Sequence, residues 1–499
     1  MHSPLPPLVG PHGEDAARIE YTRRSRRILY GEHYQDVLDR MALQLHDVRR
    51  EAWGYPDMAS NPFKAVWSAL STLYDRTPTV TLRTETADES AGYIADLADA
   101  EGYWQLMARG QRDCLALREL LMRVTVTIDD EGEPHPVYEP VYPDMVVALD
   151  DPANPGVPVE LYHAREREVE GEDGRPKCEW LWDHLSIRDP AAPVYRVLRT
   201  GKSEEPADVS ALFGVGGWPD EWRDADGRPV LPYVLFHAAQ TPYIWDPYQT
   251  RELIEGTLNV AVLRSFVAHV ARNSAWRQRY SIDVVPAGAG FADEDHDGRG
   301  RMSIVADPAT IIRFIATDRD GANPQVGTFD VPVVPEELWQ YIEGYERKLI
   351  SEAGINPADT MAMKGDPRSG YALAVSRDSQ REAQRRYEPQ FRRGDESVLG
   401  ITAMQINRLL GTSYPETGYR VTYHGIPKSA AERAALREHL IALLQVGLLD
   451  PVSAYQQLHP GLTDAQAMEQ LKRIQVTRRE LEAADAADTI EEVSNERDV

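Results

Sequence analysis

Three short patterns in this chain are of a type that does chemistry, and each departs from the full motif it resembles. Gly201-Lys202-Ser203 ends like a phosphate-cradling loop, but the glycine required five residues upstream is Arg196, and no apolar strand leads into a helix there. Asp293, Asp295, Asp297 and Gly298 match the first half of a calcium loop. Its twelfth position, which should supply a bidentate glutamate, is Ile304, so the pattern reads as a solvated acidic turn. Arg377, Arg381 and Arg385 fall at i, i+4 and i+8, with Arg386, Arg392 and Arg393 nearby, on a helix face suited to phosphate contact. Asp378, Glu382 and Glu388 offset part of that charge, as on an ordinary solvated face.

No His-Glu-x-x-His arrangement or nucleophile elbow occurs, and Cys114 and Cys178 have no metal spacing. The sequence therefore predicts no enzyme, cofactor or metal. The cysteines fall in segments that read as helix and strand, which argues against a disulfide framework and suits a reducing cytoplasm.

The elements that must position these residues follow from periodicity. The 499 residues predict more than one structural unit, and 42% apolar content is enough for real cores. Mean hydropathy is −0.47 and no run of eighteen uncharged apolar residues occurs, so neither a membrane span nor a signal peptide is expected. A net charge of −26 opposes tight wrapping of nucleic acid and suits weak, sliding contact.

Asn61-Pro62 opens a predicted helix carrying Phe63, Val66, Trp67, Leu70, Leu73 and Tyr74 at helical spacing, with Pro78 beyond it. A further helical region is expected over 88–122, loosened at Gly102, and before it one within 19–50. Val124, Val126 and Ile128 alternate with threonines ahead of an Asp-Asp-Glu-Gly turn, predicting a hairpin. Short strands follow at 145–149, 159–163, 179–182, 195–198 and 231–237, with 201–227 read as a surface loop.

Residues 249–279 predict a helix with an apolar stripe of Leu253, Ile254, Leu258, Val262, Phe266, Val267 and Val270. Arg272, Arg277 and Arg279 thicken its end. A strand-and-turn insertion over 281–330 carries nine acidic residues against four arginines. A helix over 335–354, a Pro- and Gly-containing loop over 356–368, and a long helix from Ser369 to about Leu410 follow, kinked at Pro389 and Gly394. Residues 419–423 read as extended and 429–480 as a helical cluster, with Ser429 and Glu432 resembling a capping box and Asp464 near the start of the last helix. The last twenty residues hold eight acids and one arginine, the composition of a disordered tail.

The order of helix, acidic insertion, helix, loop and long helix resembles the core of the portal proteins of tailed double-stranded DNA bacteriophages. Leu231-Pro232-Tyr233-Val234-Leu235-Phe236 before the first of these helices, and Arg368-Ser369-Gly370-Tyr371-Ala372-Leu373 opening the long one, are similar to phrases of that family. Asn61–Asp75 resembles its early wing helix, and the likeness spans roughly 55–425.

The resemblance implies an α+β subunit with wing, helical stem, small α/β clip, long kinked helix and helical crown, assembled as a dodecameric ring at one capsid vertex. The wing would occupy 1–249, the first stem helix 250–280, the clip 281–330 and the second stem helix 331–355. A tunnel loop would follow over 356–368, then the long helix and return to the wing over 369–428, the crown over 429–480 and the acidic tail over 481–499.

It also implies Asn356, Met361, Met363, Lys364 and Arg368 facing DNA, Arg272, Arg277 and Arg279 as stem basic residues, and the 253–270 apolar stripe available to neighbouring subunits of the ring. Asp293, Glu294, Asp295, Asp297, Arg299 and Arg301 would form the clip surface where motor and adaptor dock. Implied partners are double-stranded DNA, the terminase large subunit that hydrolyses ATP, the major capsid and scaffolding proteins, and the head-tail adaptor. The chain would act in host cytoplasm during assembly and then in the virion. Another head or baseplate protein is the alternative consistent with the same helices and acidic surface, and a metal hydrolase at the 293–297 turn is a second.

Overall fold

A computed structural model describes residues 13–44, 56–82, 89–170, 176–199, 207–246, 251–275, 278–282, 284–286, 314–316, 325–329, 336–357, 378–425, 430–458 and 466–477. The fold is mixed α+β, and the chain divides into one unit of 1–360 with 382–424, and another of 361–381 with 425–499.

The first unit opens with α1 (Gly13–Tyr30) and α2 (Tyr34–Gln44), followed by α3 (Pro62–Leu70). Proline suits the first turn of α3 because its missing N–H has no intrahelical partner there, and the Asn61 side chain caps Lys64 N at 2.9 Å. This helix stops at Leu70, so Leu73 and Tyr74 lie beyond it in a turn rather than on the helix as expected; both are buried. Next come β1 (Thr79–Leu82), α4 (Glu89–Ala100) and α5 (Tyr103–Leu117).

The expected helix to 122 ends at Leu117. Arg118 takes a left-handed φ of +76° and turns the chain into strand β2 (Glu119–Ile128). Residues Glu119 to Met122 are buried without alternation because this strand is central, and such an apolar run cannot be told from a buried helix by spacing.

The predicted hairpin is present as β2 with β3 (Pro134–Val141), whose burial alternates residue by residue until its last turn. Strand β9 (Tyr233–His237) pairs with the other edge of β2, giving the three-stranded order β3-β2-β9. Between them lies an antiparallel meander of β4 (Val146–Asp151), β5 (Asn154–Glu170), β6 (Pro176–Ser186), β7 (Val194–Arg199) and β8 (Ala207–Asp208). β5 and β6 extend well past the short strands expected at 159–163 and 179–182.

The described part of 201–227 is more than a surface loop. It supplies β8 and two short 3-10 turns, and Trp222 packs with Leu161, Leu185, Leu231, Tyr233 and Ile244 in the core under the meander. A buried Asp183 within this sheet is held by Arg165 at 2.5 Å and Arg123 at 3.5 Å. Cys114 on α5 is free and buried.

The later elements of this unit are α6 (Arg251–Ala275), β10 (Gln278–Ile282), β11 (Val284–Pro286), β12 (Phe314–Ala316), β13 (Gln325–Phe329) and α7 (Glu336–Glu352). Then come α8 (Asp378–Leu410) and β14 (Tyr419–Thr422), which pairs antiparallel with β1 and so joins distant parts of the chain. The predicted start of the long helix at Ser369 lies outside the described residues. α8 continues as one helix through Pro389, which sits on its exposed side where water can serve the carbonyl the ring leaves unbonded.

α8 lies flush on the three-stranded sheet. A Cβ at Gly394 would enter the Phe236 ring, and one at Gly400 would meet the Glu416 carbonyl. Where β9 no longer covers β2, the Gln405 side chain takes over its bonding. Its amide donates to Val124 O at 2.8 Å and accepts from Val126 N at 3.0 Å.

The second unit is helical where described: α9 (Ala430–Gln445), α10 (Pro451–Leu458) and α11 (466–477). Asp450 caps α10 through Val452 N at 2.9 Å and Ser453 N at 3.0 Å. Leu440, Ala454 and Ala467 are buried within it, whereas Ile441, Leu444, Val446 and Leu448 are exposed. Ser429, Asp464 and the acidic tail lie outside the described residues.

Candidate channel-forming region

α6, the strands after it and α7 form the part of the molecule that the sequence order singles out. In α6, Leu253, Ile254, Leu258, Val260, Ala261, Val262 and Val267 are buried against α2, α3 and α7. This corrects the expectation that the 253–270 stripe is available to neighbouring subunits: most of it is used inside the subunit. Among the described residues α6 is long and apolar enough to cross a membrane by length and composition, with 56% of that window buried in the protein. Packing in the core accounts for its apolar character.

Two hydroxyls on α6 do more than pack. Thr257 and Ser265 donate back to Leu253 O at 2.8 Å and Ala261 O at 2.6 Å. Their oxygens then accept from Phe63 N at 3.1 Å and Asp57 N at 2.8 Å, docking the 57–63 backbone along the helix. Arg40 and Arg24 both bond Glu255, the latter at 3.0 Å, and fix α1 and α2 to the start of α6.

The α6–α7 contact rests on one glycine and one ionic clasp. Leu349 lies so close to Gly256 that a Cβ there would overlap its methyls. Arg264 reaches Glu346 at 3.3 Å and Asp57 at 3.4 Å, and its guanidinium stands 5.3 Å from the Trp339 ring centre. α7 is amphipathic: Ile342, Glu346, Leu349 and Ile350 face inward, while Tyr341 is 61% exposed and Arg347 and Lys348 are exposed as well. The i, i+4 pairs Arg347–Glu343 at 3.2 Å and Lys348–Glu352 at 3.6 Å keep this outer face charged. Gly354, at φ +81°, ends the helical turn.

Between the helices the chain runs out and back as nested antiparallel pairs. β10 pairs with β13, from Gln278↔Phe329 to Ile282↔Gln325, and β11 pairs with β12, from Val284↔Ala316 to Pro286↔Phe314. The expected helix does not reach Arg279: α6 is described to Ala275, and Arg279 sits on a strand opposite Thr328. A β-branched and aromatic composition (Tyr280, Ile282, Val284, Val285) favours strand there over continuation of the helix.

Arg272 falls in the last turn of α6, and Asn356 follows α7 on the exposed side. Arg277, Asp293, Glu294, Asp295, Asp297, Arg299, Arg301, Met361, Met363, Lys364 and Arg368 lie outside the described residues, as do Gly201-Lys202-Ser203 and Arg377. Of the expected site residues, Arg272, Arg279 and Asn356 are the ones that fall among the described residues. Among the described residues no group of three or more His, Cys, Asp or Glu could hold a metal ion.

Of the arginines expected on the long helix, Arg385 pairs loosely with Glu382 at 3.9 Å, both mostly exposed. Arg392 bonds Glu388 and donates to Val421 O at 2.9 Å, so it anchors the helix. Arg386 and Arg393 are exposed.

Sequence reasoning missed Gly256, Thr257, Ser265 and the Arg264 clasp. A lone glycine within an apolar helical pattern is the one signal that pointed at a close helix approach. No family model matches the chain, and no curated protein matches its sequence.

Proposed function

We propose that this chain is the portal subunit of a tailed double-stranded DNA bacteriophage, a ring-forming conduit for packaging, retention and release of the genome. The observation that carries this reading is the excursion from α6 through nested strand pairs into α7, the order that resembles a stem and clip. Two paired helices per subunit supply a wall element, and the outward face of α7 with Tyr341, Arg347 and Lys348 is free of the subunit core to meet a neighbour. The clip strands then stand at the wall's end, where a terminase motor and later a head-tail adaptor would dock.

The ring would be passive. ATP hydrolysis belongs to the motor in this scheme, and the acidic net charge of −26 suits DNA that slides past without being held. Exposed Arg385, Arg386 and Arg393 offer only local positive charge.

Electron microscopy of the purified protein viewed end-on tests the reading directly. Annular particles with a central channel wide enough for duplex DNA are the expected result. A monodisperse monomer, or a closed assembly without a channel, would favour another head or baseplate protein.

A further inference from the structure

Asp395 is fully buried on the inner face of α8. Three phenols from three other places in the chain donate to it: Tyr103 at the start of α5 reaches Oδ1 at 2.7 Å, while Tyr74, after α3, and Tyr423, just past β14, reach Oδ2 at 2.8 and 2.5 Å. Asp395 has no ion pair among the described residues. The basic residue one turn before it, Arg392, is engaged by Glu388 and the Val421 carbonyl, and the adjacent Glu396 adds charge of the same sign.

A carboxylate buried with neutral donors and no cation is a group whose charge is costly to keep. Its neutral form has a ready alternative bonding pattern. The Tyr74 and Tyr423 oxygens are 3.5 Å apart on the same carboxyl oxygen, so a protonated Oδ2 can donate to one of them while still accepting from the other. Both protonation states satisfy the cluster, and they differ in the free energy with which it closes.

We propose that Asp395, Tyr74, Tyr103 and Tyr423 form a proton-dependent latch that fastens the long helix to the α3, α5 and β14 side of the unit, tightest when the carboxyl is neutral. This inference is independent of the portal reading. Burial outweighs the three donors and pushes the Asp395 carboxyl up to about 7, so the proton leaves near neutrality. The same burial pushes all three tyrosines well above their ordinary range, keeping them as donors throughout. Because the folded value lies above the unfolded one, the latch's contribution is complete in acid and is lost as pH rises through about 7.

The other groups facing the cluster are few. Tyr138 of β3 packs on Tyr103, with ring centres 4.7 Å apart, and is bonded to Thr402 at 3.3 Å. Trp104 and Phe391 pack on Tyr74 and carry no charge. His424 follows Tyr423 and bonds the Thr79 hydroxyl at 3.1 Å.

The test is thermal unfolding of the full chain at a series of pH values from 5.5 to 8.5 (roughly the window bracketing a group that titrates near 7), for wild type, Asp395→Asn and His424→Asn. Wild type and His424→Asn are expected to lose melting temperature together as pH rises, while Asp395→Asn shows a clearly shallower loss over the same window, the remainder coming from other buried groups such as Glu119, which burial pushes up to about 8. An Asp395→Asn profile parallel to wild type overturns the latch, as does a flat profile for His424→Asn alone. Should Asp395→Asn fail to fold, hydrogen exchange of wild-type α8 peptides decides. Protection, corrected for intrinsic rate, must fall several-fold between pH 6 and pH 8 in α8 while β5 and β6 hold theirs (up to roughly tenfold per pH unit is expected between the unfolded and folded values, levelling off above the folded one). Uniform behaviour of the two regions overturns the proposal.

Discussion

α8 on its sheet and α7 on α6 are both long helices packed through a glycine, yet the two contacts tolerate change very differently. At Gly394 the neighbouring atoms belong to the Phe236 ring, which is 1% exposed and wedged against Phe391 at 5.9 Å. At Gly256 they are the methyl ends of Leu349, which can change rotamer at the margin of the helix pair. The seat on the sheet is completed by neutral hydrogen bonds from Gln405 and around Asp395. The helix pair is completed by an arginine shared between two carboxylates. One contact is a rigid foundation of the sheet-bearing part, and the other is a joint that can give.

Breaking the foundation should have the largest effect. Gly394→Val forces two methyls into the Phe236 ring, and overpacking of this kind costs roughly 3 kcal/mol. Chemical denaturation should show the variant unfolded or severely destabilised, and a near-wild-type midpoint would mean that the seat repacks.

Gln405→Leu comes next. It keeps the apolar contact but strands the Val126 N–H and Val124 C=O, a loss of about 1–3 kcal/mol. The same denaturation experiment checks it, with faster amide exchange expected at Val126.

The joint should respond least. Gly256→Ala is expected to cost about 1 kcal/mol, because Leu349 can swing aside, and the Gly256→Ala, Leu349→Ala double variant should lose less than the sum of its two singles. If the double variant is worse than the sum of the two singles, the close approach is set by the backbones and the comparison between the two glycines fails.

Much of the fold was legible from spacing. The Asn61-Pro62 start, the hairpin around Asp129–Gly132, the helix pair and its strand-bearing insertion were all read from periodicity and turn residues. The misreadings have particular causes. Residues Glu119–Met122 are buried on every side, and full burial erases the alternation by which helix and strand are told apart, so the helix was carried past Leu117. Trp222 was assigned to a surface loop because its Gly- and Pro-rich surroundings hide the single large side chain that enters the core.

The candidate region was less legible than the fold. Arg385, Arg386 and Arg393 stood out as a basic face and are exposed, but Arg392 in the same group turned out to be an anchor on Val421 O. Nothing in the local sequence distinguishes these arginines, since only the residue opposite decides whether a guanidinium is solvated or used.

What the amino-acid sequence determined by itself is therefore the order of the elements, the acidic balance and the lack of a complete catalytic motif, all of which depend on residue type and near-neighbour spacing. Which glycines carry helix contacts, which hydroxyls dock a distant backbone, and that Tyr74, Tyr103 and Tyr423 meet on Asp395 were decided only by the tertiary structure. Those contacts join residues well separated in sequence, from 28 positions for Tyr423 and Asp395 to 321 for Tyr74 and Asp395, and the free energy that selects them arises when water is excluded between surfaces no local pattern encodes.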